Sequence, residues 1–375
     1  MVFYITGSNL FGQWLCDDIL LNEFRELIAV KNDLDITFDQ ANFLDMNWSY
    51  NILEINGDFF LSGAWDGKEQ QLIKLPLPKI ITKDYINCQI IFTIVGNDYK
   101  IVIVGKNVNT IWVMDIKNKN DFKQINFNVE EPVEDCAKKP KIANSISKVV
   151  LSNNSCLYLT SGGNVYSGVL PSYVDTRHCK GKIKDIQCGY EHFVLLTEEG
   201  RVYTWGNGRR LQLGHGDINN QELPTEVDAL AGIKIIKICA GGWHTLALST
   251  FGDVYAWGWN DTGQLGIKTL NEEGHKSYSI PTLIDLFDEH EEQVVKNIAD
   301  IACGSRHSAV LLEDYTIWTT GCNKYGQCGF SEKDYPSLNF FKKAFHCDGD
   351  CSLICGPWNT VIHSDNIVNE NLLMK

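Results

Sequence analysis

The sequence contains little proline and comparatively few basic residues. It has 9 Pro against 31 Gly, and 33 Lys and Arg against 47 Asp and Glu, which gives a formal net charge of −14. An excess of negative charge repels nucleic-acid phosphates and anionic membrane surfaces, and the basic residues are too scattered to form a local patch. The composition therefore argues against direct nucleic-acid or membrane binding, and it leaves binding to basic histone tails open.

The sequence also lacks a long apolar run and a secretory leader. The longest apolar region, 90–114, is interrupted by Asp98, Lys100 and Lys106, whereas a membrane-spanning helix needs about 20 consecutive apolar residues. The amino terminus shows no basic stretch followed by an apolar run and a cleavage site. The 13 cysteines are an odd number in a long chain, so we expect reduced thiols and a soluble protein of the nucleus or cytoplasm.

The chain does contain ample material for a core, since 44% of its residues are hydrophobic and it has 10 Trp, 17 Phe and 14 Tyr. β-branched and aromatic residues alternate with Gly-rich turns, which predicts many short strands. Helical periodicity is limited to short pieces near 15–28 and 285–297. These features favour an all-β fold.

A repeat of about 50 residues occupies the second half of the chain. Each copy has a Gly, two variable residues and a His, then a Trp and a Gly, then a Gln and a Gly. The clear copies lie within 182–329 and contain the runs Cys188-Gly189-Tyr190-Glu191-His192, Tyr203-Thr204-Trp205-Gly206, Ala240-Gly241-Gly242-Trp243-His244, Tyr255-Ala256-Trp257-Gly258, Cys303-Gly304-Ser305-Arg306-His307 and Trp318-Thr319-Thr320-Gly321.

One further copy is divided between the two ends of the sequence. Cys355-Gly356-Pro357-Trp358-Asn359 begins a repeat, and 2–13 reproduces the second half of one. A closed ring gains from such a split, because the shared blade leaves no sheet edge exposed. We therefore predict that 1–14 and 353–364 complete a single blade.

Weaker copies fall within 45–168, including one with Tyr50 at the His position, and a polar insertion is expected at about 115–147. With the shared copy counted once, the chain holds seven units of about 54 residues, which is within the usual range for propeller blades. The sequence thus predicts a single domain over residues 1–375, an all-β, seven-bladed β-propeller closed by its terminal segments.

These runs resemble the repeats of the regulator of chromosome condensation family. The resemblance is specific over 182–329 and at both ends, and poor over 66–148. It implies a small, non-enzymatic member that uses no cofactor. Such a member would be a nuclear scaffold, with an additional cytoplasmic location left as an alternative. It would bind a JmjC-domain histone demethylase or hydroxylase and act in chromatin regulation and chromosome segregation. The alternative within the family is a guanine-nucleotide exchange factor for a small GTPase. A tryptophan-based light receptor would need an intact Gly-Trp-Arg-His-Thr run, which no copy has.

Three histidines at equivalent positions, His192, His244 and His307, raise the possibility of a zinc site. Equivalent positions of a ring face different neighbours, so these side chains cannot converge on one ion, and Tyr50 and Asn359 at the same position keep only the hydrogen-bonding ability. We predict that each His ties its turn to adjacent backbone and that no metal binds. The other residues predicted to be structural are Trp205, Trp257, Gly206, Gly258 and Gly321.

The cluster of His346, Cys347, Cys351 and Cys355 has spacings unlike common zinc modules, and metal or disulfide chemistry there is a minor alternative.

The two variable residues before each His position lie in turns, and the family resemblance implies that such turns line one rim of the ring. Aromatic and Arg side chains are the types enriched in binding hot spots. We predict a partner-binding face formed by Trp48, Tyr190, Glu191, Trp243, Arg306 and Trp358, extended by the loop residues Trp259, Arg209 and Arg210. The alternative is that each Trp only fills space between blades.

Overall fold

The computed structural model describes residues 2–27, 41–65, 71–78, 91–105, 110–117, 121–126, 145–152, 155–268 and 276–364. These residues form 28 strands arranged in seven antiparallel sheets of four strands each. The predicted seven-bladed all-β propeller is confirmed.

The strands follow one another radially within each blade, from the inner strand to the outer one. The chain begins with β1 (Val2–Ser8) and β2 (Leu20–Glu26), which belong to blade 7. Blade 1 consists of β3 (Ala41–Met46), β4 (Tyr50–Ile55), β5 (Asp58–Gly63) and β6 (Gln71–Lys74). Blade 2 consists of β7 (Ile91–Gly96), β8 (Lys100–Gly105), β9 (Thr110–Asp115) and β10 (Phe122–Asn126). Blade 3 consists of β11 (Ile146–Leu151), β12 (Cys156–Thr160), β13 (Val165–Ser167) and β14 (Ser172–Tyr173). Blade 4 consists of β15 (Ile183–Cys188), β16 (His192–Thr197), β17 (Val202–Gly206) and β18 (Gln221–Glu226). Blade 5 consists of β19 (Ile235–Ala240), β20 (His244–Ser249), β21 (Val254–Trp259) and β22 (Ser277–Leu283). Blade 6 consists of β23 (Ile298–Cys303), β24 (His307–Leu312), β25 (Thr316–Cys322) and β26 (Ser337–His346). Blade 7 is completed by β27 (Cys351–Gly356) and β28 (Asn359–Ser364).

The expected helical pieces are not helices where the structure describes them. Part of 15–28 forms the strand β2, and 285–297 is irregular apart from an isolated bridge between Phe287 and Gln293. The helical element among the described residues is the 3-10 turn Asp228–Leu230. In that part of the chain, no helix has the length and apolar character to cross a membrane.

The two ends of the described chain meet in blade 7, as predicted. β28 pairs with β27 on one side and with β1 on the other, where Tyr4 lies opposite Ile362. The side-chain amide of Asn359 donates a 2.6 Å hydrogen bond to the carbonyl oxygen of Ser8. Because inner strands of neighbouring blades also contact each other all around, the ring is closed.

The segment 66–148, in which the repeat is poor, contains one complete blade and parts of two others. β6 completes blade 1, β7 to β10 form blade 2, and β11 begins blade 3. The predicted polar insertion at 115–147 therefore includes the strand β10, while residues 127–144 within it lie outside the described residues. β8 is almost wholly buried through its Ile and Val side chains, so burial of apolar residues replaces the repeat signature here.

The core is distributed around the ring, in the spaces between adjacent blades. Between blades 5 and 6, Leu248 packs in one apolar cluster with Trp318. Between blades 1 and 2, Ile52 packs in another cluster with Trp112. The positions of the blades relative to one another therefore depend on apolar side chains that both neighbouring sheets contribute.

Charged side chains of the inner strands link neighbouring blades. Lys148 Nζ of blade 3 lies 2.5 Å from Asp185 Oδ1 of blade 4, and Lys237 of blade 5 forms an ion pair with Asp300 of blade 6. Asp45 of blade 1 comes just after a register shift in its inner strand, as Asp185 and Asp300 do. Its carboxylate accepts a 2.7 Å hydrogen bond from the backbone N–H of Gly96 in blade 2. Each of these contacts defines how two inner strands lie beside each other.

Within each blade, consecutive antiparallel strands place the first and third connections at one end of the ring and the second and fourth connections at the other. We call the end that carries the first and third connections the upper face, and the opposite end the lower face. The turns before the His positions and the loops before each Gln both belong to the upper face.

Candidate protein-binding face

The three histidines join blades to one another rather than forming a common site. His192 Nε2 lies 3.0 Å from Thr245 Oγ1, His244 Nε2 2.9 Å from Ser308 Oγ, and His307 Nε2 3.1 Å from Thr360 Oγ1. In each case the hydroxyl belongs to the next blade. A side-chain hydroxyl of the next blade is thus added to the predicted tie to adjacent backbone, and backbone hydrogen bonds of His307 and Asn359 also act on the rings of His244 and His307.

The hydroxyl groups determine which ring nitrogen carries the proton. Ser308 Oγ donates to the carbonyl oxygen of Gln264 at 2.6 Å, and Thr360 Oγ1 donates to that of Gln327 at 2.7 Å. Since a hydroxyl has one proton to donate, its oxygen accepts a hydrogen bond from the Nε2–H of the histidine. Burial lowers the pKa of His192 and His244 to about 3 and that of His307 to about 4, so these rings are neutral at physiological pH.

The predicted glycines allow the third strand of a blade to approach the turn before the His. Gly206, Gly258 and Gly321 have φ angles of +106°, +103° and +105°, a region that L side chains rarely adopt. A β-carbon on Gly206 would lie 2.6 Å from the carbonyl oxygen of Glu191 in that turn. Trp205 and Trp257 are 5% and 0% exposed, so they belong to the core. These residues support the turns that carry the candidate face.

The cluster of His346, Cys347, Cys351 and Cys355 lies at the end of β26 and along β27. Cys347 is buried and Cys351 is partly buried, and burial raises the pKa of Cys355 to about 12. Among the residues that the structure describes, no group of three or more His, Cys, Asp or Glu could hold a metal ion.

Four aromatic side chains on the upper face form one group, which we call the tryptophan cluster: Phe11, Trp48, Tyr325 and Trp358. The ring centroid of Trp48 lies 5.6 Å from that of Trp358, 5.4 Å from that of Tyr325 and 5.7 Å from that of Phe11. All four side chains are partly exposed. The rings contact each other edge to face, so they form a continuous apolar surface across blades 6, 7 and 1, with no gap between them for a ligand.

A second group, which we call the arginine slot, consists of Arg210, Trp243 and Trp259. The Cζ atom of Arg210 lies 4.2 Å from the ring centroid of Trp243 and 4.6 Å from that of Trp259. The guanidinium cation therefore lies over two indole rings. All three side chains are partly exposed, and they come from blades 4 and 5.

Neighbouring residues hold the arginine slot in place from both sides. The ring of Tyr190 lies 4.9 Å from Trp243, and its hydroxyl donates a 2.5 Å hydrogen bond to Ser305 Oγ. On the other side, Asp261 forms an ion pair with Arg306. Burial opposes ionisation of Asp261, but hydrogen bonds from Arg306 and Trp259 outweigh it and lower the pKa of this carboxyl group.

Backbone hydrogen bonds connect the upper turns of four successive blades. Tyr190 N donates to Gly242 O at 2.9 Å, Gly242 N to Ser305 O at 3.1 Å, and Ser305 N to Pro357 O at 3.0 Å. These turns border an opening of about 320 Å³ at the end of the central channel. The face residues are therefore carried by turns that restrain one another.

Family models of the regulator of chromosome condensation (RCC1) repeat match residues 199–248 and 252–311 in one case and 183–212, 235–264 and 298–327 in another. These residues of the chain therefore carry RCC1 repeats. The matched residues include the turns of blades 4, 5 and 6 and the whole arginine slot.

Three curated proteins are similar to about half of this chain. RCC1 domain-containing protein 1 from Mus musculus is 33% identical over 221 residues, and its counterpart from Homo sapiens is 31% identical over 220 residues. Each match covers 49% of this chain and 56% of the relative, so the chain spans little more than half the length of these relatives. Protein pim1 from Schizosaccharomyces pombe is 31% identical over 208 residues, which are 51% of this chain and 37% of that protein.

Solved structures of RCC1-type propellers superpose over nearly the whole chain. Human WBSCR16 gives a TM-score of 0.72 at 14% identity and covers 96% of this chain and 98% of its own. Prp20p from Saccharomyces cerevisiae gives 0.71 at 16% identity, with 97% and 92% covered. At such identities the likeness shows the fold.

The structure brings most of the predicted face residues together within the RCC1 framework, in two groups. Trp48 and Trp358 lie in the tryptophan cluster, and Trp243, Trp259 and Arg210 form the arginine slot with Tyr190 and Arg306 beside it. Two predicted residues lie outside both groups and are exposed, Glu191 and Arg209. Glu191 accepts a 2.9 Å hydrogen bond from the side-chain amide of Asn207.

Sequence reasoning missed three residues of this face, Phe11, Tyr325 and Asp261. A signal for the first two was present, because Phe11, Arg210 and Tyr325 each stand two residues before the Gln of an RCC1 repeat. Their side chains contact the turn of the following blade. Asp261 lies one position earlier in the equivalent loop, and its role depends on a partner in the next blade.

Proposed function

We propose that this chain is a non-enzymatic scaffold of the nucleus whose upper face binds a JmjC-domain histone demethylase or hydroxylase, with a role in chromatin regulation and chromosome segregation. The observation that carries the binding role is the composition of that face. The tryptophan cluster and the arginine slot present four partly exposed Trp side chains, and one Arg that lies over two of them, on turns that restrain one another. Large, rigid side chains of these types lose little conformational entropy when a partner covers them.

The RCC1 repeats support a role in protein interaction. The family models match the repeats that carry the arginine slot, and the sequence resemblance that suggests a JmjC partner concerns the same repeats. Prp20p, which has the same fold, was described together with its binding properties to Gsp1p and histones. For this chain, a histone tail is therefore a second ligand to test in complex with the oxygenase.

Affinity purification of the tagged chain from nuclear extract, followed by mass spectrometry, tests the proposal. We expect a JmjC-domain protein to co-purify with the wild type and to be lost with the double variant Trp48→Ala/Trp358→Ala. The matched control is Phe251→Ala, which removes a 74% exposed aromatic ring from the lower face and should leave capture unchanged. Capture that is equal for the wild type and the double variant would refute the assignment of the face.

A nucleotide-release assay separates this proposal from exchange activity. The purified chain is added to small GTPases loaded with a fluorescent guanine nucleotide, and we expect no change in the release rate. Accelerated release from any of them would replace the scaffold proposal with an exchange factor.

A further inference from the structure

We infer that the upper face recognises an acidic segment of its protein partner, and that Arg210 pairs there with a side-chain carboxylate. This inference rests on the proposed function, since it concerns the same face, and it adds the chemistry of the partner. It is carried by the position of Arg210 over two indole rings and by the ion pairing of the other arginines.

The sequence contains six arginines, and the structure describes all of them. Four form ion pairs with carboxylates: Arg25 with Asp18, Arg177 with Asp175, Arg201 with Glu226 and Arg306 with Asp261. Arg209 and Arg210 make no ion pair with any described residue. In a chain with a net charge of −14, these two adjacent arginines are the ones whose charge no described carboxylate neutralises.

The contacts with the two indole rings leave the N–H groups of Arg210 available as donors. Its Cζ atom lies over the rings of Trp243 and Trp259, at 4.2 and 4.6 Å from their centroids. The N–H groups of a guanidinium point outward in its plane, and a cation–π contact does not engage them in hydrogen bonds to a planar acceptor. No side-chain hydrogen bond joins Arg210 to another described residue. These donors are therefore free to form two parallel hydrogen bonds with one planar acceptor, the geometry that a carboxylate offers.

The slot is also arranged before a partner arrives. Asp261, in the loop that follows Trp259, is paired with Arg306 of the next blade. Trp243 is held from the other side by Tyr190. A guanidinium placed in this way loses less side-chain freedom on binding than a free one, so its pairing with a carboxylate gains affinity. Glu191 on the same face forms no ion pair with Arg210, and its Oε2 accepts a hydrogen bond from Asn207.

The test uses fluorescence polarisation with the purified full chain and a labelled peptide of three Glu-Glu-Phe-Gly repeats. The matched peptides replace Glu by Gln, by Lys or by phosphoserine. We expect the Glu peptide to bind and the Gln peptide to bind about tenfold more weakly or worse, since a charge-assisted bidentate pair is roughly twice as strong as a neutral hydrogen bond. The Lys peptide should not bind. Tighter binding of the phosphoserine peptide than of the Glu peptide would overturn the assignment to a carboxylate.

Variants identify the residue. Arg210→Lys keeps the charge but loses the planar fork, and should weaken binding of the Glu peptide about tenfold. Arg177→Ala, an exposed arginine of the lower face, is the matched control and should bind as the wild type does. Equal binding by Arg210→Lys and by the wild type would overturn the inference. The thermal unfolding temperature of each variant shows that it is folded.

The two proposals fail in different ways. If the JmjC protein is captured by the wild type and by Arg210→Lys but not by Trp48→Ala/Trp358→Ala, the scaffold proposal stands and the acidic segment is refuted. If the wild type captures no JmjC protein but binds the Glu peptide through Arg210, the partner is a different acidic protein and only the JmjC assignment fails.

Discussion

The imidazole ring of His307 lies over the α-carbon of Gly304, so that a β-carbon at position 304 would overlap the ring atom Cε1. Gly189 stands in the same relation to His192, and Gly241 to His244. The Gly and the His of each repeat are therefore required together, because the ring can reach the next blade only across a residue without a side chain.

Gly304→Ala is expected to destabilise the protein by about 2–3 kcal/mol, because the new methyl group must displace His307 from its hydrogen bond with Thr360. Chemical denaturation followed by tryptophan fluorescence measures this. The double variant Gly304→Ala/His307→Asn should recover part of the loss, since Asn occupies this position in blade 7.

Gly356→Ala is the matched control for this prediction. A β-carbon at position 356 would lie 3.0 Å from Met46 Cβ and 3.8 Å from Asn359 Oδ1, so the crowding is milder. Equal losses for Gly304→Ala and Gly356→Ala would show that the His ring is not the reason for the glycine.

The buried histidines should make the protein less stable in acid. Their folded-state pKa values of about 3 to 4 lie below the unfolded value of about 6.5, so the unfolded chain binds more protons. Their stabilising contribution is complete above pH 6.5 and is lost as the pH falls, by about 2 kcal/mol for each His at pH 5. Asp45 acts in the opposite direction, because burial raises its pKa to about 7 against the hydrogen bond from Gly96.

Comparison of variants isolates the histidine contribution. The free energy of unfolding, measured from pH 7.5 to pH 5, should fall by about 2 kcal/mol less for His192→Asn than for the wild type, with the difference in slope approaching about 1.4 kcal/mol per pH unit below pH 6. His290→Asn, with a side chain 76% exposed, should follow the wild type. Parallel curves for His192→Asn and the wild type would contradict the neutral, buried state of His192.

The ion pair between Lys237 and Asp300 should contribute less to the free energy of unfolding than the hydrogen bonds that the Asp300 carboxylate accepts from backbone N–H groups. Asp300 also accepts hydrogen bonds from the backbone N–H of Ile301 at 2.8 Å and of Leu353 at 3.4 Å. We expect Asp300→Ala to cost about 2 kcal/mol, but Lys237→Ala, at a side chain 40% exposed, to cost under about 1 kcal/mol. A double-mutant cycle in denaturant should give a coupling of about 0.5–1 kcal/mol. A larger cost for Lys237→Ala than for Asp300→Ala would reverse this ranking.

Blade closure should depend on Asn359, which is 1% exposed and donates to Ser8. Asn359→Ala removes this donor and is expected to lower stability by about 1–2 kcal/mol. Amide hydrogen exchange should show faster exchange in β1 before other strands are affected. Asn219→Ala, at an exposed loop position, is the control. Uniformly faster exchange in all blades would mean that the contact does not act at the seam.

The blade number and the shared blade could be predicted because Gly, Trp and Gln recur at fixed spacing, and each has one geometric role. Blade 2 was harder to recognise. β8 and β9 hold their place by buried Ile, Val and Trp side chains, which any core strand could carry. The sequence repeat therefore identifies a blade only where its turns, or its hydrogen bonds to the next blade, require particular residue types.

Only part of the binding face was predicted, because the repeat pattern describes one blade at a time. Trp243 and Trp358 stood out as large residues at variable positions in a conserved spacing pattern of this chain. The contacts of Tyr325 with Trp358 and of Asp261 with Arg306 join a loop of one blade to a turn of the next. A repeat pattern gives the position of a residue within its own blade, but not the neighbour that it meets.

The seam in blade 7 has a consequence for biosynthesis. Ser8 and Asn359 are 351 residues apart in the sequence, and at 5–20 residues per second a ribosome needs roughly 20 to 70 seconds to synthesise the chain between them. For most of that interval β1 can pair with β2 but lacks β28, the other strand with which it pairs. The nascent chain thus carries a strand with one unpaired edge for most of its synthesis, and folding of the ring is completed only after translation of the last blade.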